Sequence, residues 1–119
     1  MDELGIKRWT VDLSDWRNIV EEISLEEGFT AIAEPENPEP QLSPEHSHGG
    51  DEVRLLLEGS AVLVVRVGDS DDFITLTFSE GDMFSVPGGL WHQLGPGPDS
   101  YKSVRFFHDK GSWNKVLRN

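Results

Sequence analysis

His46-Ser47-His48-Gly49-Gly50-Asp51-Glu52-Val53-Arg54 is the stretch around which this 119-residue chain is organised. Two histidines at i and i+2 of an extended segment project from one face. Gly49-Gly50 is expected to let the chain turn freely, so that Glu52 on the next segment swings back toward them. His92 supplies a fourth donor from a distant strand and is expected to close the site from across the fold. Three imidazoles and one carboxylate suit a divalent transition metal; nickel, iron or manganese would accept this set, with cobalt and zinc also acceptable. Four protein ligands leave an octahedral ion two open cis positions for chemistry.

An isolated His-x-His in an acidic loop is commonly solvated decoration. The second block, Gly81 to His92, changes that reading. Together the two blocks read H-x-H-x3-E-x6-G, from His46 to Gly59, and G-x5-P-x-G-x2-H, from Gly81 through Pro87 and Gly89 to His92. Eight fixed positions at roughly 5% usage each coincide by chance on the order of 10⁻¹¹ per placement. The pattern resembles the two signature motifs of the cupin superfamily, in which three His and the Glu bind metal. One departure is Pro96, standing where the second motif often ends in Asn.

The chain is large enough for one core, and residues 1–119 are expected to form a single cupin domain. Its parts are an N-terminal arm, helix and Pro-rich loop (1–45), a metal-binding barrel (46–108) and a C-terminal segment (109–119). Zero cysteine excludes disulfides, thiolate ligands and a Cys nucleophile and suits a reducing compartment. With no apolar run of membrane-spanning length, a cytoplasmic location is expected. A net charge of −12 argues against nucleic acid and anionic membrane as partners. An anionic substrate would need local Arg or Lys to overcome that field.

In chain order, residues 6–10 read as a strand or arm. A helix follows with Asp12 or Ser14 as N-cap, an apolar stripe at Trp16, Ile19, Val20 and Ile23, and Gly28 at its end. Residues 29–33 form a strand candidate. Pro35, Pro38, Pro40 and Pro44 then impose a loop. Beyond the histidines, strands are predicted over 53–58, 61–67, 73–78, 83–86, 90–94 and 101–108, with a short C-terminal turn over 113–117 packing on one end. The fold class is all-β, a cupin double-stranded β-helix (jelly-roll barrel) with a short N-terminal helix. Pairing as a homodimer through an edge strand or the N-terminal segment is left open.

Alternation places Glu52, Arg54 and Leu56 on one face, so Arg54 is expected in the cavity with Glu52. Tyr101, Ser103, Arg105 and Phe107 share one face of the last long strand, and periodicity does not say whether it points inward. An inward Arg is costly unless paired, which makes Arg54 and Arg105 the candidate pocket cations. His108, outside both motifs, is expected to face solvent.

The runs HSHGGDEVRLLLEGSAVLVVRV, EGDMFSVPGGLWHQ and YKSVRFFHDKGSW resemble the acireductone dioxygenase family of methionine salvage, as do GIKRWT and GFTAIAE near the N-terminus. That resemblance implies a metal on His46, His48, Glu52 and His92. It also implies Arg54 and Arg105 as catalytic pocket arginines and Trp113 as the family's C-terminal Trp. The chain departs from the family in its short N-terminal part, in Gly49-Gly50 where acids are common, and in Leu94 where an aromatic is often found. The implied activity is dioxygenation of a small anionic enediol chelated to the metal and attacked by O2. In that family iron and nickel direct different products. Two other readings stand beside it. One is a cupin lyase, isomerase or other dioxygenase, for which Tyr101 could act as acid or base. The other is a non-catalytic cupin that holds a small ligand through its metal.

Overall fold

The computed structural model describes residues 4–28, 31–32, 42–98, 100–107 and 115–117. Its strands are β1 (Lys7–Thr10), β2 (Ala31–Ile32), β3 (His46–His48), β4 (Glu52–Glu58), β5 (Ser60–Arg66), β6 (Phe73–Ser79), β7 (Asp82–Val86), β8 (His92–Pro96), β9 (Lys102–Phe107) and β10 (Lys115–Leu117), with one helix, α1 (Trp16–Glu27). They form two five-stranded sheets, ordered β1-β7-β4-β9-β2 and β10-β3-β8-β5-β6. Every neighbouring pair is antiparallel. No helix among the described residues is long and apolar enough to cross a membrane.

The sheets pack face to face because their strands alternate. On β5, Ala61, Leu63 and Val65 are fully buried while Val62 and Val64 are partly exposed. The first three join Phe78, Leu94, Leu56, Phe84 and Val86 in the layer between the sheets. Phe78 of β6 and Phe84 of β7 stack with ring centroids 4.0 Å apart, linking one sheet to the other. Each such fully buried side chain contributes about 1.5–3 kcal/mol.

The first sheet is covered on its outer face as well. Val53, Leu55, Met83, Val104 and Phe106 point outward and pack with Val20 of α1, with Trp16, Ile19 and Ile23 alongside. The helical stripe expected from the sequence is thus a packing surface. Asp12 caps a 3-10 turn over Leu13–Asp15, its Oδ1 accepting from the Ser14 amide, and α1 begins one residue later. Gly28 ends the helix at φ +82°, its N–H bonded to the Ser24 carbonyl. A left-handed C-cap of this kind suits Gly, which has no Cβ to clash.

Two predicted elements are corrected. The eighth strand starts at His92, not at residue 90, because the Leu90 amide closes a turn onto the Pro87 carbonyl. Residues 115–117 are a strand, not a turn: β10 pairs with β3 in the register Lys115↔His48, Val116↔Ser47 and Leu117↔His46. A C-terminal segment of mixed polarity carries no periodicity that reveals such a distant partner. Trp113, His108 and most of the Pro-rich segment 34–44 lie outside the described residues.

Candidate metal centre

Strand β3 presents His46 and His48 inward, and all three of its residues are buried. On β8, His92 is the register partner of His46 on one side and of Val65 on the other. His92 therefore stands on the strand adjacent to β3 in the same sheet. Glu52, at the start of β4, is the donor that comes from the opposite sheet. This reverses the expectation that His92 closes the site from across the fold.

The turn between His48 and Glu52 also works differently from expectation. Neither Gly49 nor Gly50 adopts a positive φ. What requires a small residue is the crossing of two loops: a Cβ at Gly88 would lie 3.0 Å from the Gly50 Cα. The Gly89 amide donates to the His48 carbonyl at 3.0 Å, and the Gly88 amide donates to Asp51 Oδ1 at 3.1 Å. The two motif loops are stitched together, and that contact brings both blocks to one site.

The four side chains His46, His48, Glu52 and His92 are between 1% and 6% exposed. One donor atom from each lies within 4.8 Å of the others. Bonds of about 2.0–2.2 Å place donors on a common ion no more than about 4.4 Å apart, so the cluster needs to close by only a few tenths of an ångström. His46 Nδ1 lies 2.7 Å from the Pro44 carbonyl oxygen and His92 Nδ1 lies 2.7 Å from that of Leu90. A carbonyl only accepts, so each Nδ1 carries the proton and each Nε2 is left as a donor to metal. His92 Nε2 lies 3.0 Å from Glu52 Oε2. His48 Nε2 reaches the same oxygen at 2.9 Å. A cation among these atoms converts the crowding into ligation, and the donor set fits a divalent transition metal.

The electrostatics agree with that use. Burial lowers the His46 pKa to about 4, with His92 and His48 adding to the effect against the opposing Pro44 bond and Glu52 charge. Burial alone would raise the Glu52 pKa. The Arg54 charge leads the opposing causes and holds the carboxyl well below its ordinary value. At neutral pH, His46 is uncharged and Glu52 is anionic, the forms a metal requires.

Arg54 shares the inner face with Glu52, as alternation predicts. Its Nε donates to Glu52 Oε1 at 2.7 Å and its Nη1 to Ser103 Oγ at 3.2 Å. That second bond decides the face of β9: Ser103 and Arg105 point inward, while Val104 and Phe106 pack toward α1. Arg105 is half-buried and is the Cα partner of Arg54. Tyr101 is 4% exposed within the layer between the sheets, in the position of a core aromatic. Sequence reasoning missed Ser103 and the Pro44 and Leu90 carbonyls. Backbone carbonyls carry no residue signature, and Ser103 becomes visible only once β9 is laid beside β4.

Two antiparallel sheets closed over a buried three-His, one-Glu cluster define a cupin-type jelly roll with a candidate metal centre. The chain belongs to the ARD/ARD' family, whose model matches residues 4–115. Acireductone dioxygenase 1 of Coprinopsis cinerea is 33% identical over 70 residues, covering 58% of this chain and 39% of the relative. Acireductone dioxygenase 2 of Oryza sativa subsp. indica is 31% identical over 131 residues, covering 99% of this chain and 66% of the relative. The chain thus spans 39% to 66% of the length of these curated relatives. A solved structure of acireductone dioxygenase from Bacillus anthracis with a cadmium ion in its active centre superposes with a TM-score of 0.82 at 18% identity, covering 98% of this chain and 85% of that one.

Proposed function

We propose that this chain is a metal-dependent dioxygenase acting on an acireductone, with His46, His48, Glu52 and His92 as the metal ligands. The observation that carries the reading is the buried donor cluster, with two imidazole Nδ1 protons fixed by main-chain carbonyls, in a chain matched from residue 4 to 115 by the family model. Residues 1–119 are taken as one cupin domain. A divalent metal, iron or nickel in this reading, would supply Lewis acidity and a template for a chelating enediolate and O2.

The chain's own residues do the rest. Pro44 and Leu90 hold the tautomers of His46 and His92. Arg54 keeps Glu52 ionised and aimed into the cavity, and Ser103 keeps Arg54 in place. Arg54 was expected to meet substrate charge. Its bonds to Glu52 and Ser103 make it first an orienting group for the carboxylate, and Arg105 beside it becomes the cation that meets a chelated anion. In a shielded cavity a cation so placed would stabilise the charge of the chelated anion. The partners of this reading are a small anionic substrate and O2.

The test is anaerobic mixing of iron- or nickel-loaded protein with a synthetic acireductone, followed by addition of oxygen. Oxygen uptake above the metal-free background is expected. No uptake with either metal would sink the proposal, and tight ligand binding without consumption would point to the non-catalytic cupin instead.

A further inference from the structure

Arg66 ends β5 on the face turned away from the donor cluster, one residue past Val65, the register partner of His92. Its guanidinium forks onto Glu45, with Nε 2.7 Å from Oε2 and Nη2 2.9 Å from Oε1. Nη1 donates to the Ser70 carbonyl at 2.6 Å, and the Phe73 ring lies 4.5 Å from the guanidinium carbon. The backbone amide of Arg66 donates to the Trp91 carbonyl at 3.0 Å. Glu45 and Trp91 are the residues immediately before His46 and His92. One residue therefore grips the chain at the position preceding two candidate ligands.

Strand β3 runs beside β10 over all three of its residues, but its pairing toward His92 is short. The strand is three residues long, and its pairing with β8 has a single register pair, His46↔His92. Upstream, Ser43 is docked on Leu94 by two bonds, from its amide to the Leu94 carbonyl at 2.9 Å and from the Leu94 amide to its Oγ at 3.0 Å. Glu45 is the next tie along, between Ser43 and the first ligand. Its side chain is 16% exposed and that of Arg66 10%, so the fork is shielded from most of the solvent. A bidentate Arg–carboxylate pair fixes orientation as well as distance.

We propose that Arg66 is a positioning residue for the metal centre, setting His46 against His92 through Glu45 and the Trp91 carbonyl. The inference rests on the reading of His46, His48, Glu52 and His92 as metal ligands. The sequence carries its trace in an Arg that closes the apolar run of β5 and an acid that directly precedes His46. The exposure of Phe73, 46%, also has a use here, since its ring faces the guanidinium. A Lys at 66 keeps the charge but not the fork.

The test measures nickel affinity by competition with a chromophoric chelator, and the visible absorption of the cobalt(II) form, on folded protein below its melting temperature. Glu45→Gln, Arg66→Lys and the double variant are compared with the parent. Arg8→Met is the control: Arg8 makes a similar clamp, to Asp82 at 2.8 Å and over Phe78, but touches no candidate ligand. Each single variant is expected to weaken nickel binding about 10–100-fold and to alter the cobalt spectrum. The double variant should lose no more than the worse single one, since both remove the same fork. Arg8→Met should lower the melting temperature and leave affinity and spectrum unchanged. A parent that binds no nickel overturns the reading of the centre and this inference with it. A parent that binds, with variants equal to it in affinity and spectrum, overturns the inference alone.

Discussion

His46 is held neutral by its surroundings, and that has a consequence for the metal-free protein. Folding depresses its pKa from 6.5 to about 4, with burial as the main cause. Between those values the unfolded chain binds more protons than the folded one, so stability falls as pH falls from about 6.5 toward 4. Glu52, whose folded pKa lies well below 4.5, adds a loss in the same direction at still lower pH. The melting temperature of chelator-treated protein should therefore decline steadily from pH 7 to pH 4, and His46→Gln should flatten the upper part of that decline. A parent profile that is flat over this window would contradict the buried, neutral state of His46.

At the scale of elements, the motif glycines divide into two kinds. Gly59, the last residue of the first motif, turns the chain from β4 into β5 at φ +75°, and a Cβ there would land on the Ser100 carbonyl group. Gly89 in the second motif has φ +82° and nothing within 4 Å of a built Cβ. Gly89→Ala is expected to cost only the left-handed backbone strain, about 1–2 kcal/mol. Gly59→Ala should cost clearly more, because the backbone between β8 and β9 must also move. Urea denaturation of the two metal-free variants compares the costs directly, and equal midpoints would show that the Ser100 contact is readily relaxed.

For the molecule as a whole, the placement of Glu52 matters most. His46, His48 and His92 stand on adjacent strands of one sheet, and Glu52 stands on the other. A metal shared by all four would therefore tie the two sheets together as well as fill a cavity. Bound metal should raise the melting temperature by linkage. Glu52→Ala should abolish most of that rise, since it removes both the anionic donor and the tie between sheets. His92→Ala should keep more of the rise, because His46, His48 and Glu52 still offer a three-donor set spanning both sheets. Calorimetric scans with and without nickel measure the difference. The opposite order would mean that cross-sheet ligation contributes little.

Much of this was legible in the chain itself. The spacing of His46, His48, Glu52 and His92 identified the candidate donors, and alternation along β4 put Arg54 beside Glu52 and Val53 and Leu55 on the opposite face. Alternation fixes which side chains share a face, but it is unchanged when a strand is turned over. The Arg54–Ser103 bond, with Val104 and Phe106 packed toward α1, decided that Ser103 and Arg105 point inward. Strand order was likewise hidden: β10 lies beside β3, and His92 lies next to His46, because pairing depends on long-range contacts that leave no local period. The same holds for Glu45 and Arg66, 21 residues apart in sequence. Each reads alone as a surface charge, and only the fold brings one against the other behind the site.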